Sequence, residues 1–360
     1  MGKIFSRNYY LGRECSLNWS SRQRIMDNVL EAVGHTPMIR LNRISADINA
    51  DICVKLEYTN PSGSLKDRVV HAIVEQAEKR GDLKPGMILL EGTTGNTGIA
   101  AAMVGAAKGY QVIIVMPEGM SEERKKTIRA YGAELVLTPG AETDVDLVLE
   151  EVERIKQGYG DRIFEIGQFC RDDNVLSHYD NTGPEIWEQT EGKVDVFIMC
   201  QGTGGTITGT AKYLKQMNPE LKVYISEPLE SPMLSRGAIG QHQVQGIADG
   251  LLPIILNLDY VDGIILVSSQ DSIDMAKEIA AQEGIFCGIS SGCNVGAAKK
   301  VAHRHPDKKC IVTMINDNGL RYLSTALCGS QEERTLLDRE YKLSQEDQDK
   351  LAQYSFEIIE

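Results

Sequence analysis

Residues 194–209 read Val194-Asp195-Val196-Phe197-Ile198-Met199-Cys200-Gln201-Gly202-Thr203-Gly204-Gly205-Thr206-Ile207-Thr208-Gly209. The first part is an almost unbroken apolar run, as in a strand buried on both faces of a sheet. Glycines and threonines follow at once, and then a helical stretch. A strand that feeds a helix through a glycine-rich turn is the building unit of a parallel sheet. The backbone N–H groups of such a turn, together with the helix dipole, favour an anion. No Lys-Ser or Lys-Thr pair follows the glycines, so the run is not a P-loop. The third glycine of a dinucleotide fingerprint would fall at Ile207, where that motif needs close packing. The loop therefore suits a lone phosphate better than a dinucleotide.

The same alternation extends in both directions. Upstream, strand-like runs at 38–41, 52–56, 87–91, 111–116 and 134–138 interleave with helical stretches at 68–80, 96–108 and 121–131. Gly81 stands where a helix end favours glycine. Downstream, strands are expected at 222–226, 264–267 and 309–314. This is an α/β chain of two units, each with an open, twisted, mostly parallel sheet and flanking helices. The expected division is an N-terminal extension over 1–24, a smaller unit over 52–165 and a larger unit made of 25–51 plus 166–328. A charged helical tail covers 329–360. A helix is expected from Ser20 to about Val33, ended by Gly34-His35-Thr36-Pro37.

Net charge is −13 over 360 residues, which argues against a nucleic-acid footprint. The eight cysteines include no CxxC pair. In a chain of this length they read as reduced thiols of a cytoplasmic protein. No run approaches a membrane span. The N-terminus lacks an apolar signal core, although Gly2 and Ser6 match the loose myristoylation pattern.

Two more segments carry chemistry. Asn60-Pro61-Ser62-Gly63-Ser64-Leu65-Lys66-Asp67-Arg68 sets a lysine at a Ser/Gly turn directly before a helix. Such an amine can form a Schiff base with an aldehyde cofactor, or it is a solvated surface lysine. Glu91-Gly92-Thr93-Thr94-Gly95-Asn96-Thr97-Gly98 offers hydroxyls, an amide and backbone N–H groups between a strand and a helix. It reads equally as a carboxylate cradle or as a capped turn.

In this order and spacing, the three loops resemble the cysteine synthase and cystathionine β-synthase family of fold-type II pyridoxal-phosphate (PLP) enzymes. The similarity extends from about Gly34 to Thr325. It includes Gln168-Phe169, Thr182-Gly183-Pro184-Glu185-Ile186-Trp187, Gln245-Gly246-Ile247, Gly288-Ile289-Ser290-Ser291-Gly292 and Arg321-Tyr322-Leu323-Ser324. The resemblance implies a tryptophan synthase β-like fold, pyridoxal 5'-phosphate as cofactor and a homodimer. Lys66 would bind the cofactor covalently and then move the α-proton. Asn96 would bind its 3′ oxygen, and Gly202, Thr203, Gly204, Gly205 and Thr206 its phosphate. Ser290 would face the pyridine nitrogen. Thr93, Thr94, Thr97 and Gln168 would hold the substrate α-carboxylate.

A neutral hydroxyl opposite the ring nitrogen, in place of a carboxylate, makes the ring a shallower electron sink. That favours loss of a β-leaving group, giving a bound aminoacrylate, over transamination. The expected reaction is β-replacement on O-acetylserine or O-phosphoserine by sulfide or a thiol. One alternative consumes cysteine, releases sulfide and adds water, a thiol or an amine. Others are a serine/threonine dehydratase-like activity, or an inactive ligand- or partner-binding scaffold. The sequence departs from the family's usual Gly-Ile-Gly-Ala-Gly-Phe at Gly246-Ile247-Ala248-Asp249-Gly250-Leu251. Asp249 is either a general base for the incoming nucleophile or an ordinary turn aspartate. No metal ligand set, nucleic acid or membrane partner is expected. Arg236 is a further candidate for an anionic group.

Overall fold

The computed structural model describes residues 25–141, 144–248, 250–329 and 342–360. Its strands are β1 (Met38–Arg40), β2 (Asp51–Leu56), β3 (Ile88–Gly92), β4 (Gln111–Pro117), β5 (Glu134–Thr138), β6 (Ile163–Glu165), β7 (Val196–Cys200), β8 (Lys222–Pro228), β9 (Gly263–Val267), β10 (Cys310–Ile315) and β11 (Glu357–Ile359). Its helices are α1 (Lys66–Arg80), α2 (Asn96–Lys108), α3 (Glu122–Ala130), α4 (Val145–Tyr159), α5 (Asp172–Ser177), α6 (Gly183–Gln189), α7 (Gly205–Met217), α8 (Met233–Arg236), α9 (Ser269–Glu283), α10 (Ile289–Arg304) and α11 (Gln345–Leu351). Among the described residues, no helix is long and apolar enough to cross a membrane.

Two sheets form, as the alternation predicts. The smaller has the order β5-β4-β3-β6 and is parallel throughout. The larger has the order β1-β2-β10-β7-β8-β9-β11, and only β1 runs antiparallel to its neighbour. In the smaller sheet, Leu89 and Ile114 pack with α1 and α2 on one face. Leu90, Ile113 and Val115 pack with Val148 and Val152 of α4 on the other. Both faces are covered, so β3 and β4 are apolar at nearly every position.

The expected division needs three corrections. β2 lies between β1 and β10, so a boundary at residue 52 cuts into the larger sheet. Conversely, Leu30 packs into the smaller unit's core, although the sequence places 25–51 with the larger. A strand's sheet is decided by which edge supplies its hydrogen bonds, which its own sequence does not record. The tail, expected to be helical, contains α11 but then adds β11 in parallel to β9. The extension over 1–24 and the Gly2/Ser6 pattern lie outside the described residues. Of the helix expected over 20–33, the described part holds one 3₁₀ turn, Val29–Ala32. The Asn28 side chain accepts a hydrogen bond from the Leu30 N–H there, which starts the turn late. α1 ends as expected, with Gly81 left-handed at φ 79°.

The carboxyl ends of β2, β3, β7 and β10 lead into the loops that carry Lys66, Asn96, Gly202 and Asn316. In open α/β sheets ligands bind at this end of the strands. Here two sheets contribute, and the site forms between them.

Candidate active site

Lys66, Asn96, Gly202, Thr203, Gly204, Thr206 and Ser290 line one narrow pocket, with Cys200, Gln245 and Asn316 beside them. Six segments far apart in sequence meet there.

Lys66 is the first residue of α1, and the helix turns at once into a buried charge cluster. Arg68 donates from Nε to Glu57 Oε2 at 2.7 Å, and from Nη1 and Nη2 to the two oxygens of Glu185, each at 2.7 Å. Lys55 Nζ lies 2.7 Å from Glu185 Oε2. Burial alone would push the Glu185 carboxyl up. The Arg68 guanidinium and then the Lys55 ammonium outweigh it and hold that carboxyl well below the usual range. The turn before Lys66 is tied by Asp67, which accepts from the Ser62 N–H at 2.6 Å and from the Ser62 hydroxyl.

Gly202 to Thr206 join β7 to α7, a helix of 13 residues. A Cβ on Gly205 would stand 2.1 Å from Asn174 Oδ1, so only glycine lets the helix start this close to its neighbour. Asn174 Nδ2 donates to Thr203 Oγ1 at 3.0 Å and to the Gln168 carbonyl at 2.8 Å. It thereby ties the glycine loop to the segment that carries Gln168. Thr206 Oγ1 meets His178 Nε2 at 3.1 Å, and His178 Nδ1 meets Thr182 Oγ1 at 2.9 Å. Burial, and then the charges of Arg68 and Lys66, hold His178 well below its ordinary value, so this imidazole is neutral.

Ser290 sits in the first turn of α10, two residues past the N-cap Gly288, and is not itself the cap. Its hydroxyl accepts from Asn316 Nδ2 at 3.0 Å, which leaves the hydroxyl proton to be donated elsewhere. Cys200 also lines the pocket, but burial pushes its thiol up to about 12, so it carries no nucleophilic thiolate.

The Thr93–Thr97 loop adjoins this pocket through Asn96. Thr93 Oγ1 accepts from the Gly95 N–H at 3.1 Å. Thr97 Oγ1 donates to Gln168 Oε1 at 2.6 Å. Thr94 is half-buried on the same turn. Asn96 donates from Nδ2 to Asp317 Oδ2 at 2.7 Å, and its Oδ1 accepts from Arg321. Arg321 also donates to the Ser62 carbonyl. It therefore joins the lysine turn to the threonine loop.

Asn174, His178, Cys200, Asn316 and Asp317 were not singled out from the sequence. Asn174 and His178 are single polar side chains with no flanking motif, and Cys200 reads as the end of an apolar strand. Asp249 lies outside the described residues. Arg236 points away from an anion role, because it pairs with Glu360 of the tail. Among the described residues, no group of three His, Cys, Asp or Glu could hold a metal ion.

Comparison with known proteins gives the family. A family profile described as pyridoxal-phosphate dependent enzyme matches residues 29–317. A cysteine synthase of Staphylococcus aureus is 44% identical over 306 residues, covering 85% of this chain and 98% of that protein. Cysteine synthase from Entamoeba histolytica superposes with a TM-score of 0.81 at 40% identity, covering 93% of this chain and 97% of that one. A hydrogen sulfide-producing enzyme from Fusobacterium nucleatum superposes with a TM-score of 0.80 at 38% identity, covering 83% of this chain and 100% of that one.

Proposed function

Because the chain belongs to the pyridoxal-phosphate dependent enzyme family, we propose that its pocket holds the cofactor through Lys66 and processes an O-activated serine. The enzyme is of the cysteine synthase type and carries out PLP-dependent β-replacement on an amino acid. The single observation that carries the site assignment is the meeting of Lys66, Asn96, the glycine loop and Ser290 in one pocket.

The residues present fit the cofactor. Thr203, Thr206 and the N–H groups at the start of α7 suit a phosphate, and the gap kept open by Gly205 gives that phosphate close approach. The Ser290 hydroxyl suits a ring nitrogen, and Asn96 the 3′ oxygen. When bound, the cofactor supplies the electron sink that makes the donor's α-proton acidic. The Lys66 amine takes that proton and later returns it. Thr93, Thr94, Thr97 and Gln168 hold the donor's α-carboxylate, which fixes the α-carbon against Lys66. Asp249 assists the incoming nucleophile.

A second reading is a cysteine-consuming reaction that releases sulfide. It is supported by the similarity to the hydrogen sulfide-producing enzyme and by the carboxylate at Asp249. We place the reaction in the cytoplasm, on the strength of unpaired cysteines, and in a homodimer, on the strength of the family resemblance. Product analysis with O-acetylserine, O-phosphoserine and cysteine side by side separates the readings. An O-activated serine plus sulfide is expected to give cysteine faster than cysteine alone releases sulfide. The reverse order assigns the second reading.

A further inference from the structure

Two deeply buried arginines of this protein are treated very differently. Arg68 faces two carboxylates. Arg124, in the first turn of α3, is 1% exposed, and among the described residues no carboxylate oxygen lies within 4.0 Å of its guanidinium nitrogens. Its partners are neutral: the Gln245 side-chain oxygen, Ser121 Oγ at 3.5 Å and the Tyr322 ring, 4.6 Å from Cζ. Its Nε is buried with no hydrogen-bond partner. A guanidinium keeps its charge, and a buried charge without a counter-charge is costly.

The side chain lies directly behind the Thr93–Thr97 loop. A Cβ on Gly95 would come within 2.3 Å of Arg124 Cδ and 2.5 Å of Nε. Glycine at the middle of the loop is therefore what admits the arginine. The nearby protein charges offset it only in part: the buried Asp317 carboxylate accepts from the Tyr322 hydroxyl and from Asn96 Nδ2, each at 2.7 Å, and is shared with Arg321. Arg321, also buried, donates only to the Asn96 and Ser62 oxygens. Glu91, which accepts from the Gly167 N–H at 2.8 Å just before Gln168, is pushed up to about 8 by burial and is mainly neutral at pH 7.

We propose that Arg124 supplies the positive charge that makes the Thr93–Thr97 loop select ligands bearing a free carboxylate. This rests on the reading of that loop as the donor-carboxylate site. Arg124 acts from behind the Gly95 backbone and is a positioning residue: the ligand's negative charge offsets the buried guanidinium when the loop is filled. Its effect is electrostatic, so it discriminates between an acid and its amide, which have nearly the same shape.

The test uses the holoenzyme and two ligands without a β-leaving group, L-alanine and L-alaninamide, with binding followed by calorimetry. Wild type is expected to prefer the acid. Arg124→Met is expected to weaken L-alanine about ten- to thirtyfold, the scale of one charge pair at protein-like screening, and to leave L-alaninamide unchanged. Arg124→Lys keeps the charge and should keep most of the preference. Any general loosening of the fold weakens both ligands alike, so the ratio of the two affinities remains interpretable. An acid preference that Arg124→Met retains in full overturns the proposal alone. A wild type that binds both ligands equally overturns the loop assignment and, with it, the proposal.

Discussion

Replacing Lys66 with alanine lowers turnover by roughly 10³-fold or more, while the fold and the anion cradle remain. Lys66 is half-buried at the start of α1 and lines the pocket opposite the glycine loop and Ser290. In the proposed reaction it has two duties: covalent retention of the cofactor and proton movement at the donor's α-carbon. The other lysine near the site's framework, Lys55, is fully buried and committed to Glu185, so it cannot stand in. The titratable pocket neighbour Cys200 is held neutral by burial. The variant should still bind the cofactor's phosphate through Gly202 to Thr206, but reversibly. Steady-state assay and dialysis of bound cofactor check the two halves of this expectation.

The second large effect is on stability. Arg68→Met leaves the buried carboxyls of Glu57 and Glu185 served mainly by Lys55, Thr36 and Asn60. Breaking a buried ion network by removing one partner costs about 3–5 kcal/mol. Because Arg68 is two residues beyond Lys66, the same change loosens the start of α1. The pH dependence has a definite sign. Glu185 has a lowered folded value, so its contribution is complete above the unfolded glutamate value of about 4.3 and is lost as pH falls through the folded value. The deficit of Arg68→Met relative to wild type should therefore be larger near neutral pH than below about pH 4. Urea midpoints of both proteins, measured at the two pH values, test this.

Much of the fold was legible because buried parallel strands are apolar at every position and glycines mark their exits. β5 and α2 fall on the expected residues, and β3, β4 and β7 within two residues of them. α4, absent from the expected elements, carries a readable apolar face in Val145, Val148, Val152 and Ile155. The π-helical turn His178–Thr182 was not legible. Its backbone packs against Gly209, where a Cβ would meet the Tyr179 N–H nitrogen at 2.9 Å, and that is a tertiary contact. β11 was equally hidden, since three residues become a strand only by pairing with β9. The glycine- and threonine-rich motifs that stand out in the sequence meet at one pocket, whereas the residues that support them carry no comparable signal. Asn174 acts by bridging Thr203 and the Gln168 carbonyl, and Asn316 by reaching Ser290. An isolated asparagine becomes informative only once the chain has folded around it.

Cofactor retention and proton transfer in the proposed reaction both depend on a covalent link between the cofactor aldehyde and one amine. Borohydride treatment of the holoprotein, followed by proteolysis and mass analysis, tests it most directly. A reduced pyridoxyl adduct on the peptide containing Lys66, and on no other, is the predicted result. An unmodified Lys66, or an adduct on a different lysine, contradicts the claim.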